Sequence, residues 1–171
     1  MTISGGGLFA GAVTGVGALI ADTLDADGIV TAASVSVTGT AELGGDVTTT
    51  GQQEYAGAVT LTEAVVLTGV DTDMNGAGVE FSSTVAGGGN DLEVSGGGLF
   101  ASAVSGVEAF TADSLETQST LSAGSVSVTG AARIGDDVTT TAQQEFGGAV
   151  TLTGNVQFTG VDTDADGEGV E

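Results

Sequence analysis

Two stretches of the chain carry side chains spaced for chemistry: DTDADGEGVE at Asp162–Glu171 and DTDMNGAGVE at Asp71–Glu80. In each, oxygen-bearing side chains fall on alternate residues and a glycine follows to turn the chain sharply. Loops of the EF-hand kind cradle a hard cation such as calcium in this way. The candidate ligands are Asp162, Asp164 and Asp166 in one stretch. In the other they are Asp71, Asp73 and Asn75, with one charge fewer. The closing Glu comes tenth rather than twelfth, and the flanks read as strand, so a true EF-hand does not fit. An acidic, solvated turn is the competing reading. LDADG at Leu24–Gly28 occupies a related turn, but its counterpart later in the chain reads LETQS, which weakens it as a site. Calcium is the one cofactor these residues suggest.

Other chemistries find little to work with. The chain has no His, Cys or Lys to serve as base or nucleophile at neutral pH, so the expectation is that it is not an enzyme. Asp136 and Asp137 beside Arg133 read as a local charge cluster. There are 23 acidic residues against that one arginine, a net charge of −22. Phosphate binding needs a basic stripe, so nucleic acid is excluded as a partner. Self-repulsion on this scale calls for screening salt or cations, which suggests an extracellular or saline setting. SGGGLFAGAVTGVGALIA, Ser4–Ala21, has the look of a signal peptide. It lacks a basic start, its apolar stretch of about 14 residues is too short to span a bilayer, and a near copy lies mid-chain with Glu108 inside it. No membrane insertion is expected.

That near copy is part of a larger duplication. A shift of 91 residues aligns Ser4–Glu80 with Ser95–Glu171 without a gap, and about 49 of those 77 positions are identical. A weaker step of about 45 residues lies inside it, matching Tyr55 to Phe100 and Val59 to Val104. The chain therefore reads as one segment, 1–171, in copies 1–90 and 91–171. Its sub-units are about 1–45, 46–90, 91–136 and 137–171.

The elements that must position the acidic turns follow from comparing the copies. Val66 becomes Gln157 while Val65/Val156 and Leu67/Phe158 stay apolar, and Glu42 becomes Arg133 beside Leu43/Ile134. Tolerated polar change on alternate residues describes a strand with one side buried. Phe9, Val13 and Leu19 are expected to point inward. Strands of four to six residues separated by Gly, Asp or Asn, repeating at a fixed step, predict a β-solenoid. Proline is absent, as it should be where inner strands are bonded on both edges. Two coils per 45-residue unit predict about seven or eight coils and a rod roughly 35 Å long. Two tandem β-sandwich modules have the right length but leave the 45-residue step unexplained. Gln52, Gln53, Gln143 and Gln144 read as surface residues. The threonines of VTTT and VTLT read as a solvated face, since an ice-binding array needs them on every coil.

Val47–Leu61 and Val138–Leu152, with the Leu92–Val104 stretch, resemble the long repeats of filamentous-haemagglutinin-like large exoproteins. The resemblance covers essentially the whole chain. It implies an all-β fold, a right-handed parallel β-helix, with export and a role in adhesion or surface structure. It also implies partners on a host or neighbouring cell surface. The secretion domain and signal peptide of such proteins are missing, which would make the chain an excerpt of a longer polypeptide or a filament unit. Three functional expectations result. One is a structural or adhesive rod of an extracellular, cell-surface protein. Another is a filament subunit binding other copies of itself end to end. The last is a calcium-dependent carbohydrate- or ice-binding solenoid.

Overall fold

The computed structural model describes residues 1–163 and 168–171. Among them every helix-or-strand element is a strand, and the strands pair in parallel to form one coiled sheet. The fold is a β-solenoid of about nine turns, close to the expected seven or eight. It has more turns because a coil needs only 17 or 18 residues, as from Val30 to Val47 or Ala41 to Val59.

Three ladders run along the rod. The first passes through Leu19, Val35, Gln53, Val79, Gly98 and Leu115 to Ala132 and Val150. The second climbs from Leu24 through Ala41, Val59, Val85 and Val104 to Val138 and Phe158. The third climbs from Val13 through Val30, Val47, Leu67 and Val94 to Phe146. The recurring strand is three residues long with the outer two buried and the middle one exposed, as in Val47–Thr49 and Val59–Leu61. Alternation at period two turns Val, Leu and Ala inward and leaves Thr, Ser and Glu in solvent. Tyr55, Phe81 and Phe100 are in register on the first ladder and stack face to face, with ring centroids 5.3 and 4.7 Å apart.

The duplication and the coil are out of step. Leu19 lies on the first ladder, yet its counterpart 91 residues on, Phe110, lies on the third. Fourteen strand positions separate them; at three per turn, a copy spans four and two-thirds turns. The second copy is thus laid down rotated by one face. The 45-residue step from Tyr55 to Phe100 is two whole turns, as expected, but Leu19 to Val65 takes two and two-thirds.

Several acidic side chains hold the coils together. Oδ1 of Asp46 accepts the Val66 N–H at 2.9 Å, and its counterpart on Asp137 accepts the Gln157 N–H at 2.8 Å. Asp22 and Asp113 likewise accept from Gly5 and Gly96 at 2.7 and 2.9 Å. Arg133 does not pair with Asp136 or Asp137 but with Glu116, at 3.5 Å on the neighbouring coil. In the first copy the same two places hold Asp25 and Glu42, two like charges on adjacent rungs. The one basic side chain therefore converts a repulsive rung into an attractive one, worth at most about 1 kcal/mol on so exposed a surface.

Among the described residues the core is uncovered at both ends of the rod. Leu19 is fully buried, but Phe9 and Val13 point inward and remain half-buried, while their copies Phe100 and Val104 are buried. Val59 and Leu61 are 1% and 2% exposed; their copies Val150 and Leu152 are 40% and 51% exposed. Chemical denaturation of single variants checks this. Leu61→Ala is expected to cost about 2–5 kcal/mol, and Leu152→Ala, on the same repeat sequence, less than about 1 kcal/mol.

Candidate functional site: the acidic loop and its anchor

The acidic stretches are excursions from the coil. The turns from Gln53 to Val79 and from Gln144 to Val170 each take 26 residues, and the surplus forms a loop, between the third and first ladders in the first copy and between the second and third in the second. Gly69 and Gly78 form the neck. A Cβ on Gly69 would sit 2.1 Å from the Gly78 carbonyl oxygen, and one on Gly78 2.4 Å from the Gly69 carbonyl carbon. Gly96, at φ +94°, closes over the same point on the next coil, where a Cβ would lie 1.9 Å from the Gly69 oxygen. Only glycine fits such backbone crossings.

Within the loop, Asp71, Asp73 and Asn75 come together as the spacing predicts. Asp71 Oδ1 accepts the N–H groups of Asp73 and Met74 at 3.0 and 2.7 Å, and Oδ2 that of Gly76 at 2.8 Å. Asp73 accepts the backbone and side-chain amides of Asn75, both at 3.2 Å. Asn75 donates in turn to Glu80 and accepts from the Ala77 N–H at 2.9 Å. The Gly76 N–H, helped by those of Met74 and Asp73 and opposed by partial desolvation, holds the Asp71 carboxyl below its ordinary 3.8. The tip residue, Met74, has φ 65° and is 94% exposed, a left-handed conformation uncommon for a side chain of this kind. Among the described residues no three acidic, His or Cys side chains converge on one point where an ion could sit. A cation at this loop would have two carboxylates and the Asn75 amide oxygen, with Glu80 nearby. Those are hard oxygen donors of the type calcium takes. In the second copy Asp162 lies within the described chain, whereas Asp164 and Asp166 fall outside the described residues.

LDADG forms no such loop. Leu24 and Ala26 are buried inward residues at the end of the strand Val13–Ala26, and Asp25 stands outward between them. Gly28 follows at a tight corner, where a Cβ would lie 2.5 Å from the Gly11 backbone. There is no surplus chain here to make an excursion.

The glutamines expected on the surface are instead the loop's foundation. Gln53 and Gln144 are fully buried, and Gln52 nearly so. Gln53 Nε2 donates to the Val47 and Thr68 carbonyls, both at 2.9 Å, tying the chain just before the neck. Gln52 receives Thr72 Oγ1 at 3.3 Å and donates to Glu80 across the loop mouth. The second copy repeats this with Gln144 on Val138 and Thr159, and with Gln143 on Thr163 and Glu171. The dipeptide recurs where the loop recurs, which is the sequence signal that could have linked the two.

One substitution separates the anchors. Tyr55 Oη donates to Gln53 Oε1 at 3.0 Å, and burial pushes that phenol's pKa up, so it stays a donor. In the second copy Phe146 stands in its place, and the buried Gln144 Oε1 has no partner among the described residues.

On the outer face of the second ladder lies a shallow groove lined by Leu8, Asp25, Glu42 and Thr60. The duplicated groove has Leu99, Glu116, Arg133 and Thr151 at the same places. Two acidic walls thus become an ion pair.

No protein family, curated protein or solved structure matches this chain. Its fold sets its class: a β-solenoid whose acidic stretch is duplicated in sequence.

Two measurements check this account. Phe146→Tyr is expected to stabilise by about 0.5–1.5 kcal/mol by supplying the missing donor, and Tyr55→Phe to destabilise by about 1–3 kcal/mol. Because the Asp71 pKa is depressed, its contribution is complete above 3.8 and is lost as pH falls through the lower folded value. Asp71→Asn should therefore lower Tm at pH 7, with the difference shrinking towards pH 3 in a thermal-melt series.

Proposed function

We propose that the chain is a non-enzymatic structural or adhesive rod of an extracellular, cell-surface protein, presenting acidic faces and two anchored loops. The single observation that carries this reading is the fold with its charge. About nine stacked coils bear a net charge of −22 on outward positions, and the inside is filled by Val, Leu, Ala and a few aromatic rings. Such a body offers long, regular, solvated faces, which suits display and spacing. The resemblance of Val47–Leu61, Leu92–Val104 and Val138–Leu152 to filamentous-haemagglutinin-like repeats supports the same assignment. The partner is then a host or neighbouring cell surface.

Location is tested with antibody raised against the chain on cells of its source. Intact cells are expected to be labelled; labelling only after permeabilisation would defeat the reading.

Calcium belongs to this proposal. The Asp71–Gly76 loop and its copy at Asp162 offer hard oxygen donors, and a divalent cation would offset part of the charge that opposes compaction. Bound calcium should stabilise the folded rod by mass action. Millimolar calcium is expected to raise Tm, with Asp71→Asn reducing the rise, and a flat calorimetric titration at millimolar calcium would sink the idea.

A further inference from the structure

Of the three asparagines in the chain, Asn75, Asn90 and Asn155, only Asn75 is followed by glycine. Its counterpart in the second copy is an aspartate, Asp166, again followed by glycine. An asparagine before glycine is open to attack on its side-chain carbon by the next main-chain nitrogen, because glycine has no Cβ to obstruct the ring that forms. Asn75 and Gly76 are both exposed in the acidic loop, within reach of water.

The reaction balances with water as its only co-reactant. Gly76 N loses its proton and bonds to Asn75 Cγ. The Cγ–Nδ2 bond breaks, and Nδ2 leaves with that proton as ammonia, closing a succinimide ring. Water then opens the ring. Opening at Cγ gives aspartate, and opening at the main-chain carbonyl carbon gives isoaspartate. In sum, an amide and a water become a carboxylic acid and ammonia.

In the closed loop the reacting atoms are held. Gly76 N–H donates to Asp71 Oδ2 at 2.8 Å. This bond holds the proton that the reaction must remove, and the carboxylate charge beside it opposes an anionic nitrogen. Asn75 Nδ2 donates to Asp73 Oδ2 at 3.2 Å and to Glu80, which fixes the orientation of the amide. The Ala77 N–H donates to Asn75 Oδ1 at 2.9 Å and polarises the carbonyl, which favours attack. It is a neutral bond, however, and the charge-assisted one at Asp71 is about twice as strong.

We propose that Asn75 and Gly76 form a latent modification site, guarded by Asp71 while the loop is closed and converted to aspartate or isoaspartate once it opens. Conversion is one-way. It removes the amide that ties Asp73 to Glu80 and sets a like charge between them. A loop that has opened stays marked, and its aspartate form carries the acid that the second copy has at Asp166.

The test follows the Asn75 peptide of the full 171-residue chain by mass spectrometry during incubation at one fixed pH. Calcium-free buffer is used, so that only the loop's own bonds hold the site. In guanidinium the unfolded chain is expected to give two products of equal mass that separate on chromatography, aspartate and isoaspartate. The native chain is expected to convert at least about tenfold more slowly, the factor that one hydrogen bond to a charged group supplies. D71A, with its fold verified by circular dichroism, is expected to recover most of that factor. Where D71A does not fold, D71N replaces it, keeping an acceptor but dropping the charge. Equal rates in the native and unfolded chain would overturn the guard, and a folded variant converting at the native rate would overturn the role of Asp71. An unfolded chain that leaves Asn75 intact, or yields aspartate alone, would overturn the site itself.

Discussion

The structure depends on the parallel backbone ladder. Each short strand gives its N–H and C=O groups to the coils above and below, and this holds neighbouring coils near 4.8 Å and in register. Once register is set, a side chain at one place faces the same kind of place on the next coil. Val stacks on Val, Phe81 stacks between Tyr55 and Phe100, and the corner aspartates reach the backbone of the neighbouring coil. Much of the unusual composition follows. Proline would remove a ladder donor, and large side chains have little room in so narrow a core. Glycine is needed where backbones cross at the corners and at the neck of the loop.

The same ladder explains how a duplication of four and two-thirds turns is tolerated. The three faces are built alike: short strands, inward apolar residues at alternate positions, small residues at the corners. A copy shifted by one face therefore meets similar neighbours. What it does not meet are identical ones. Phe9 lies half-buried near an open end, and its copy Phe100 lies in the aromatic stack. The Tyr55 hydroxyl completes the amide of Gln53, while Phe146 leaves Gln144 short of a donor. Ala26 is a small core residue, and its copy Thr117 carries a buried hydroxyl without a partner among the described residues. The second copy has diverged in ways the coil accepts at some cost in hydrogen bonding.

The acidic loop shows how the fold makes room for local chemistry. Ten or so residues leave the coil between two strands and return to it through a neck of paired glycines, so the ladder resumes on the next face without a break. Buried glutamines on one side and Glu80 on the other hold the mouth. A loop held in this way can carry an exposed side chain such as Met74 at its tip without disturbing the core.

Much of the fold was legible in the residues. Alternation between the copies marked the strands, the absence of proline and the glycine corners marked the coil, and the spacing of Asp71, Asp73 and Asn75 marked the loop they form. These are local properties, fixed by side-chain period and turn chemistry. The burial of Gln53 and Gln144 was not legible, because a glutamine's place depends on carbonyls left free by a loop more than ten residues further along the chain. The partner of Arg133 was hidden for the same reason: Glu116 is one coil away in space but 17 residues away in sequence. The sequence by itself determined the strands, the turns and the fact of duplication. Tertiary structure alone decided which face each copy occupies, which polar groups find partners, and which apolar side chains remain open at the ends. Those depend on how many residues complete a turn, a quantity set by the closed circuit of the coil and by no single stretch of it.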